Sequence, residues 1–304
     1  MSTIHHVSLP HMLAAVLALG AAGIPGRAFA QPSTDLADYA LFAERTFKSK
    51  GLTLTCGDVG VNQERGKLIA PRVFSAPERV ASEIVKLGED ATVGALYANL
   101  LLGRNPPPAT AWTPPILATD IATSCGFPAP FPGCDVAGDL TVLAGTTTSL
   151  PAGVYGDVTV KGGFDEFGVP TPGVLELTGG TYTFCGMKLG KFAEVRFTAP
   201  TTVNVATNLR MQANNVWGSA SGAGVAPSDI TVFVAGSKVH YSRGAEVSAT
   251  LCAPAAKCRL TKAGAHAGAV YCNVVRTEEI TFVCGDGAAS PSGAFLDRPL
   301  LPLD

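Results

Sequence analysis

The sequence predicts an all-β chain, a right-handed parallel β-helix (β-solenoid) of about 20 residues per coil with loop excursions. Three observations predict it. Segments repeat without gaps: Ala91-Thr-Val-Gly-Ala-Leu-Tyr-Ala-Asn99, Ala245-Glu-Val-Ser-Ala-Thr-Leu-Cys-Ala253 and Ala265-His-Ala-Gly-Ala-Val-Tyr-Cys-Asn273. A shorter pair is Ala152-Gly-Val-Tyr-Gly156 and Gly179-Gly-Thr-Tyr-Thr183. Short apolar-alternating or β-branched runs, such as Leu140-Thr-Val142, Val158-Thr-Val160, Leu175-Glu-Leu177 and Val203-Asn-Val205, are bounded by Gly or Asn. Composition agrees: 47% hydrophobic residues, 15% charged, 34 Gly and 22 Pro exclude a disordered chain and suit many tight turns.

The period has a physical meaning. Three strands of about five residues and their turns make one coil, and a lone coil buries nothing. Stacking coils at ~4.8 Å completes the hydrogen bonds and encloses a core.

In chain order, residues 1–30 read as a secretory signal peptide. An apolar run, Leu13 to Ala22, precedes Pro25 and Ala28-Phe29-Ala30, with cleavage expected after Ala30. The run is shorter than the ~20 residues a membrane span requires. Residues 31–285 follow as a single solenoid domain. Glu78–Leu87 has helical propensity, but its continuation Lys86-Leu-Gly-Glu-Asp-Ala-Thr-Val93 matches Lys188-Leu-Gly-Lys-Phe-Ala-Glu-Val195, which assigns at least its end to a coil. Residues 103–134, rich in Pro, Trp and Phe, form an excursion expected to pack along the flank. Residues 164–172 and 219–227 read as projecting loops, and 286–304 as a Gly/Ser/Pro tail or cap.

All eight cysteines follow the leader: Cys56, Cys125, Cys134, Cys185, Cys252, Cys258, Cys272 and Cys284. An even count behind a leader reads as disulfides. Cys252 and Cys272 occupy equivalent repeat positions, so they are the expected pair on adjacent coils. Cys125 and Cys134 would close a short loop, and the other four can pair in three ways. No C-x-x-C occurs and only His240 and His266 follow the leader, so no metal site is expected. Aligned with Thr92 and Glu246, His266 is expected on the surface.

The motif x-Leu-Gly-x-x-Ala-x-Val at Leu87–Val93 and Leu189–Val195 resembles the coils of bacterial bactofilin-like solenoids. Tyr39-Ala-Leu-Phe-Ala43, Leu54-Thr-Cys-Gly-Asp-Val-Gly-Val-Asn62 and the turn Leu150-Pro-Ala-Gly-Val-Tyr155 resemble the secreted, adhesin-type ice-binding-like solenoid family. Both resemblances imply a solenoid. The second family carries a long helix beside its coils, and no segment of this chain reads as one.

No catalytic residue, cofactor or metal ligand is assigned. A β-helix lyase or hydrolase would need acids converging on a base, with Asp157, Asp165, Glu166, Glu176, Lys188, Arg196 and Arg210 available. Two histidines and no Gly-x-Ser-x-Gly elbow disfavour a serine triad. Ice binding would use a Thr ladder, yet Thr53/Thr55, Thr146/Thr148 and Thr181/Thr183 do not recur at the coil period. Carbohydrate binding would use exposed aromatics from among Tyr97, Trp112, Tyr155, Tyr182, Trp217, Tyr241 and Tyr271. A net charge of −2 implies no basic field for nucleic acid. The expectation is a secreted, periplasmic or cell-surface structural or adhesive protein, non-enzymatic, whose partners are envelope polysaccharide or copies of itself.

Overall fold

The computed structural model describes residues 32–103, 107–112, 114–134, 138–262 and 264–283. The expected signal peptide, the tail and Cys284 lie outside the described residues. What is described is a parallel β-solenoid: one 26-stranded sheet wound on itself, plus a two-stranded hairpin, Gly163–Phe164 with Pro170–Thr171, in the first expected loop. Glu78–Leu87 contains no helix. Phe74–Ala81 and Ile84–Leu87 are strands, because burying Phe74, Ala76, Val80, Val85 and Leu87 in the coil overrides a weak local propensity.

Three faces run the length of the solenoid. Face I includes Gly180–Phe184, Thr201–Val205, Ile230–Val234 and Asp58–Val61. Face II includes Val158–Val160, Met187–Leu189, Leu209–Met211, Lys238–Tyr241, Lys67–Ala70 and Ile84–Leu87. Face III includes Val174–Leu177, Glu194–Phe197, Val216–Ser219, Glu246–Ser248 and Ala265–Ala267. The long strands Tyr39–Ser49, Thr250–Thr261 and Val270–Glu278 turn the corner from face I to face II through a register shift.

Coils do not stack in chain order throughout. From Leu140 to Val283 each coil lies on the one before it. The coil of Val270–Glu278 and Ile280–Val283 then lies against the first described coil, Tyr39–Ser49 and Leu52–Leu54. Stacking continues from there through Asp58–Val61 to Leu100–Leu102. The core therefore runs unbroken across a seam between distant parts of the chain, with Phe47 set between Val275 and Leu68.

Residues 103–134 must then travel from one end of the stack to the other. The described residues among them form a strap over the outside of face I. Trp112, Ile116, Leu117 and the short helix Ile121–Ser124 bury against Tyr39, Phe42, Tyr97, Phe233 and Tyr271. Phe127 meets Phe233 edge-on at 5.8 Å. The Leu117 amide donates to Asn62 Oδ1 (2.8 Å) and the Trp112 amide to Asn99 Oδ1 (3.1 Å), which pairs these two strap amides with solenoid side chains. Gly60 makes room for the aromatic rings that the strap covers: a Cβ there would meet the Phe42 ring at 2.5 Å and the Tyr39 ring at 2.7 Å.

The disulfide pairs differ from expectation. Cys125 bonds Cys252, Cys134 bonds Cys185, and Cys258 bonds Cys272. Cys56 is also disulfide-bonded. The expected Cys252–Cys272 bridge fails by one residue of register. Leu251 pairs with Val270, so Cys252 lies beside Tyr271 and Cys272 beside Ala253. Side chains alternate along a strand, and a one-residue slip sends them to opposite sides. Cys252 points outward to the strap, and Cys272 points into the core, where it meets Cys258. The expected Cys125–Cys134 loop does not close because the strap runs along the solenoid instead of folding on itself.

Candidate functional site

The side chains that the acid–base reading required are not brought together. Glu176 pairs in register with Arg196 on face III, but Arg196 is held by Glu194 at 2.5 Å. Asp165 caps its own hairpin turn, its Oδ1 accepting from the amides of Phe167 and Val169, with Glu166 beside it in the exposed turn. Asp157 is exposed beside the first residue of Val158–Val160, while Lys188 and Arg210 point outward from face II. Among the described residues no group of three or more His, Cys, Asp or Glu is placed to hold a metal ion.

The aromatic residues are mostly structural. Tyr97, Trp112, Tyr182, Trp217, Tyr241 and Tyr271 are all buried; Tyr155 is half-buried. The Tyr182 hydroxyl donates to Leu150 O (2.8 Å) and accepts from the Thr178 amide (2.9 Å). Tyr97 and Tyr271 do fall in one row on face I, linked by way of Phe42, Gly60 and Ala81, and the strap covers that row.

His266 is fully buried, contrary to the surface position expected for it. The same register slip explains this, since Val247 lies beside His266 and Glu246 beside Ala265. The ring sits in the core row Trp217–Val247–His266–Phe282–Leu54. It packs 4.9 Å from Phe282 and 6.2 Å from Tyr241. Burial lowers its pKa to about 4, opposed by the carbonyls of Ala249 and Ala269.

Hydroxyl rows exist, although the sequence showed no Thr recurrence. On face I, Thr181, Thr202, Thr231 and Thr250 occupy one outward position on four successive coils. On face III, Thr281, Thr53, Ser75 and Thr92 do the same across the seam. Inserted loops vary the coil length, so equivalent residues are not evenly spaced along the chain.

Face II carries the feature that sequence reasoning missed. Its central outward row reads Lys188, Arg210, His240, Arg259, Arg276, Lys48, then Ile69 and Lys86. Lys238, Lys257 and Lys67 stand in the row beside it. All of these Lys and Arg side chains are exposed. The face II stretches of these strands contain one acid, Glu278, which pairs with Lys50 at 3.7 Å, while Glu44 lies at the corner, accepting from Asn62 Nδ2. Lys48, Arg259, Arg276 and Glu278 line a groove of about 280 Å³ at the seam. His240 registers the local field: partial burial lowers its pKa, and Arg259 and Arg210 lower it further. A net charge of −2 had argued against any basic field, but a sum over the chain does not report segregation by face.

Fold and surface define a disulfide-braced parallel β-solenoid with sorted outward rows. No family model matches the chain, and no curated protein matches it. Among solved structures it is similar to an ice-binding protein from an Antarctic biological consortium, at 15% identity, covering 82% of this chain and 88% of that one with a TM-score of 0.42. It is also similar to an ice-binding protein from an Arctic yeast, at 18% identity, covering 86% and 97% with a TM-score of 0.39.

Proposed function

We propose that this chain is an exported, non-enzymatic solenoid serving as a structural or adhesive scaffold of the cell envelope or extracellular space. The observation that carries the reading is the rigid, register-aligned surface. Successive coils repeat the same outward positions at ~4.8 Å, which suits a periodic ligand better than a small one. The strap and the disulfides Cys125–Cys252 and Cys134–Cys185 tie distant coils together and favour rigidity. The disulfides also suit an oxidising compartment.

The test is co-sedimentation of the purified protein with host envelope and capsule polysaccharide, measuring protein in the pellet and sugar fragments in the supernatant. Pelleting without fragments is expected. Fragment release by the protein would overturn the reading. A second reading, ice binding, is favoured by the row Thr181–Thr202–Thr231–Thr250. Ice-affinity partitioning checks it, and Thr202→Val with Thr231→Val should abolish any incorporation into ice.

A further inference from the structure

The central row of face II places Lys188, Arg210, His240, Arg259, Arg276 and Lys48 on six successive coils, a span of about 24 Å at the usual strand spacing. Like charges directly opposite on neighbouring strands destabilise a sheet. Here no acid on the face II stretches of the strands offsets the central row, since Glu278 is taken up by Lys50 and Glu44 lies at the corner. The neighbours lie well within the ~8 Å Debye length at physiological salt, so their fields add. Nine Lys and Arg side chains project from the face II stretches of these strands, in a chain whose net charge is −2.

From this charge pattern we infer that face II is a docking track for an extended anionic polysaccharide, one bearing carboxylate or sulfate groups along its length. The inference rests on the adhesive reading above and names the ligand class. Three features select this occupant. Charge complementarity requires a polyanion. The line repeats one outward position coil after coil, which matches a linear repeating polymer. The outward rows also lack Phe, Tyr and Trp: the positions beside the cations are Thr46, Ile69, Ile84 and Val274. Neutral sugars and single-stranded nucleic acids are gripped largely by stacking on aromatic rings, and this face offers only the half-buried imidazole of His240. The track is continuous only because the seam sets Arg276 beside Lys48. Their groove, with Arg259 on the next coil, is its centre.

The test uses the full disulfide-bonded chain. Its probes are polygalacturonate, dextran sulfate, unmodified dextran and a single-stranded oligothymidylate. Binding is measured by biolayer interferometry at low salt and at about 1 M salt, where the Debye length falls to ~3 Å. Both anionic glycans should bind at low salt and release at high salt, and dextran should not bind. The triple variant Arg259→Gln, Arg276→Gln, Lys48→Gln should bind about tenfold or more weakly, because it removes the centre of an additive field. Thr202→Val with Thr231→Val, on face I, should bind as the unaltered protein does. A readout without mutation is the NMR titration of His240, whose pKa should rise when the polymer neutralises Arg210 and Arg259. Equal binding by the triple variant, equal binding of dextran, or tighter binding of the oligonucleotide than of either glycan overturns the inference. If the protein pellets with envelope but ignores both anionic glycans, this inference falls and the adhesive reading stands. If it does neither, both fall.

Discussion

Arg276 and Lys48 stand side by side in register, although 228 residues of chain separate them. Their juxtaposition marks the seam at which the coil of residues 270–283 receives the coil of residues 39–54 as if the two were consecutive. The same seam joins the core, where Phe47 lies between Val275 and Leu68 and meets Phe74 edge-on at 6.3 Å.

Phe47→Ala should therefore weaken more than its own coil. A buried Phe→Ala change costs about 3–5 kcal/mol. Hydrogen exchange should show residues 39–102 losing protection ahead of residues 153–261. Uniform loss of protection would mean that the seam is not a weak plane.

Removing the strap's bridge with Cys125→Ala and Cys252→Ala should lower stability by about 2–5 kcal/mol, since it opens a loop with a sequence separation of 127. Thermal unfolding of the variant, with limited proteolysis of residues 107–134, checks this. Protease resistance equal to that of the unaltered protein would show that Trp112, Ile116 and Ile121 hold the strap unaided.

His266 makes an acid-dependent contribution. Its imidazole takes a proton near 6.5 when unfolded and at about 4 when folded. As pH falls from 7 to 4 the unfolded state binds the extra proton, so stability drops by up to about 3 kcal/mol over that window. Above the unfolded value both states are neutral, and the effect is absent. Denaturant titrations at pH 7 and pH 4 should show a smaller loss for His266→Leu than for the unaltered protein. Parallel losses would assign the acid sensitivity elsewhere.

The dispersed acids yield a negative control. A variant combining Asp157→Asn, Glu176→Gln and Arg196→Gln should pellet with envelope polysaccharide as the unaltered protein does. Neither protein should release sugar fragments. Fragment release by the unaltered protein that the variant loses would revive the acid–base reading.

Much of the fold was legible because the repeats record real equivalence. Leu87 and Val93 occupy the same corner as Leu189 and Val195, down to the rows their side chains fill. Register was less legible. Alignment by identity set Ala245 against Ala265, whereas hydrogen bonding sets Glu246 there, and that single step misplaced His266, Cys252 and Cys272. The shorter repeat slips by two, so that Gly153 faces Tyr182. Small residues such as Ala and Gly carry little packing information, so identity among them does not fix which side chain points inward. The cationic row was beyond reach, since its members come from Lys188 to Arg276 and then from Lys48 onward. Only the seam makes them neighbours.

Out-of-order stacking also constrains the chain in time. During synthesis, residues 39–54 appear long before residues 270–283, the surface on which they will rest. Until then the early coils keep one unpaired edge and an uncovered apolar end. Closure waits for contacts of very long sequence separation, which form slowly. Such a topology keeps the nascent polypeptide from completing itself early, leaving it dependent on protection from aggregation until its final coil arrives.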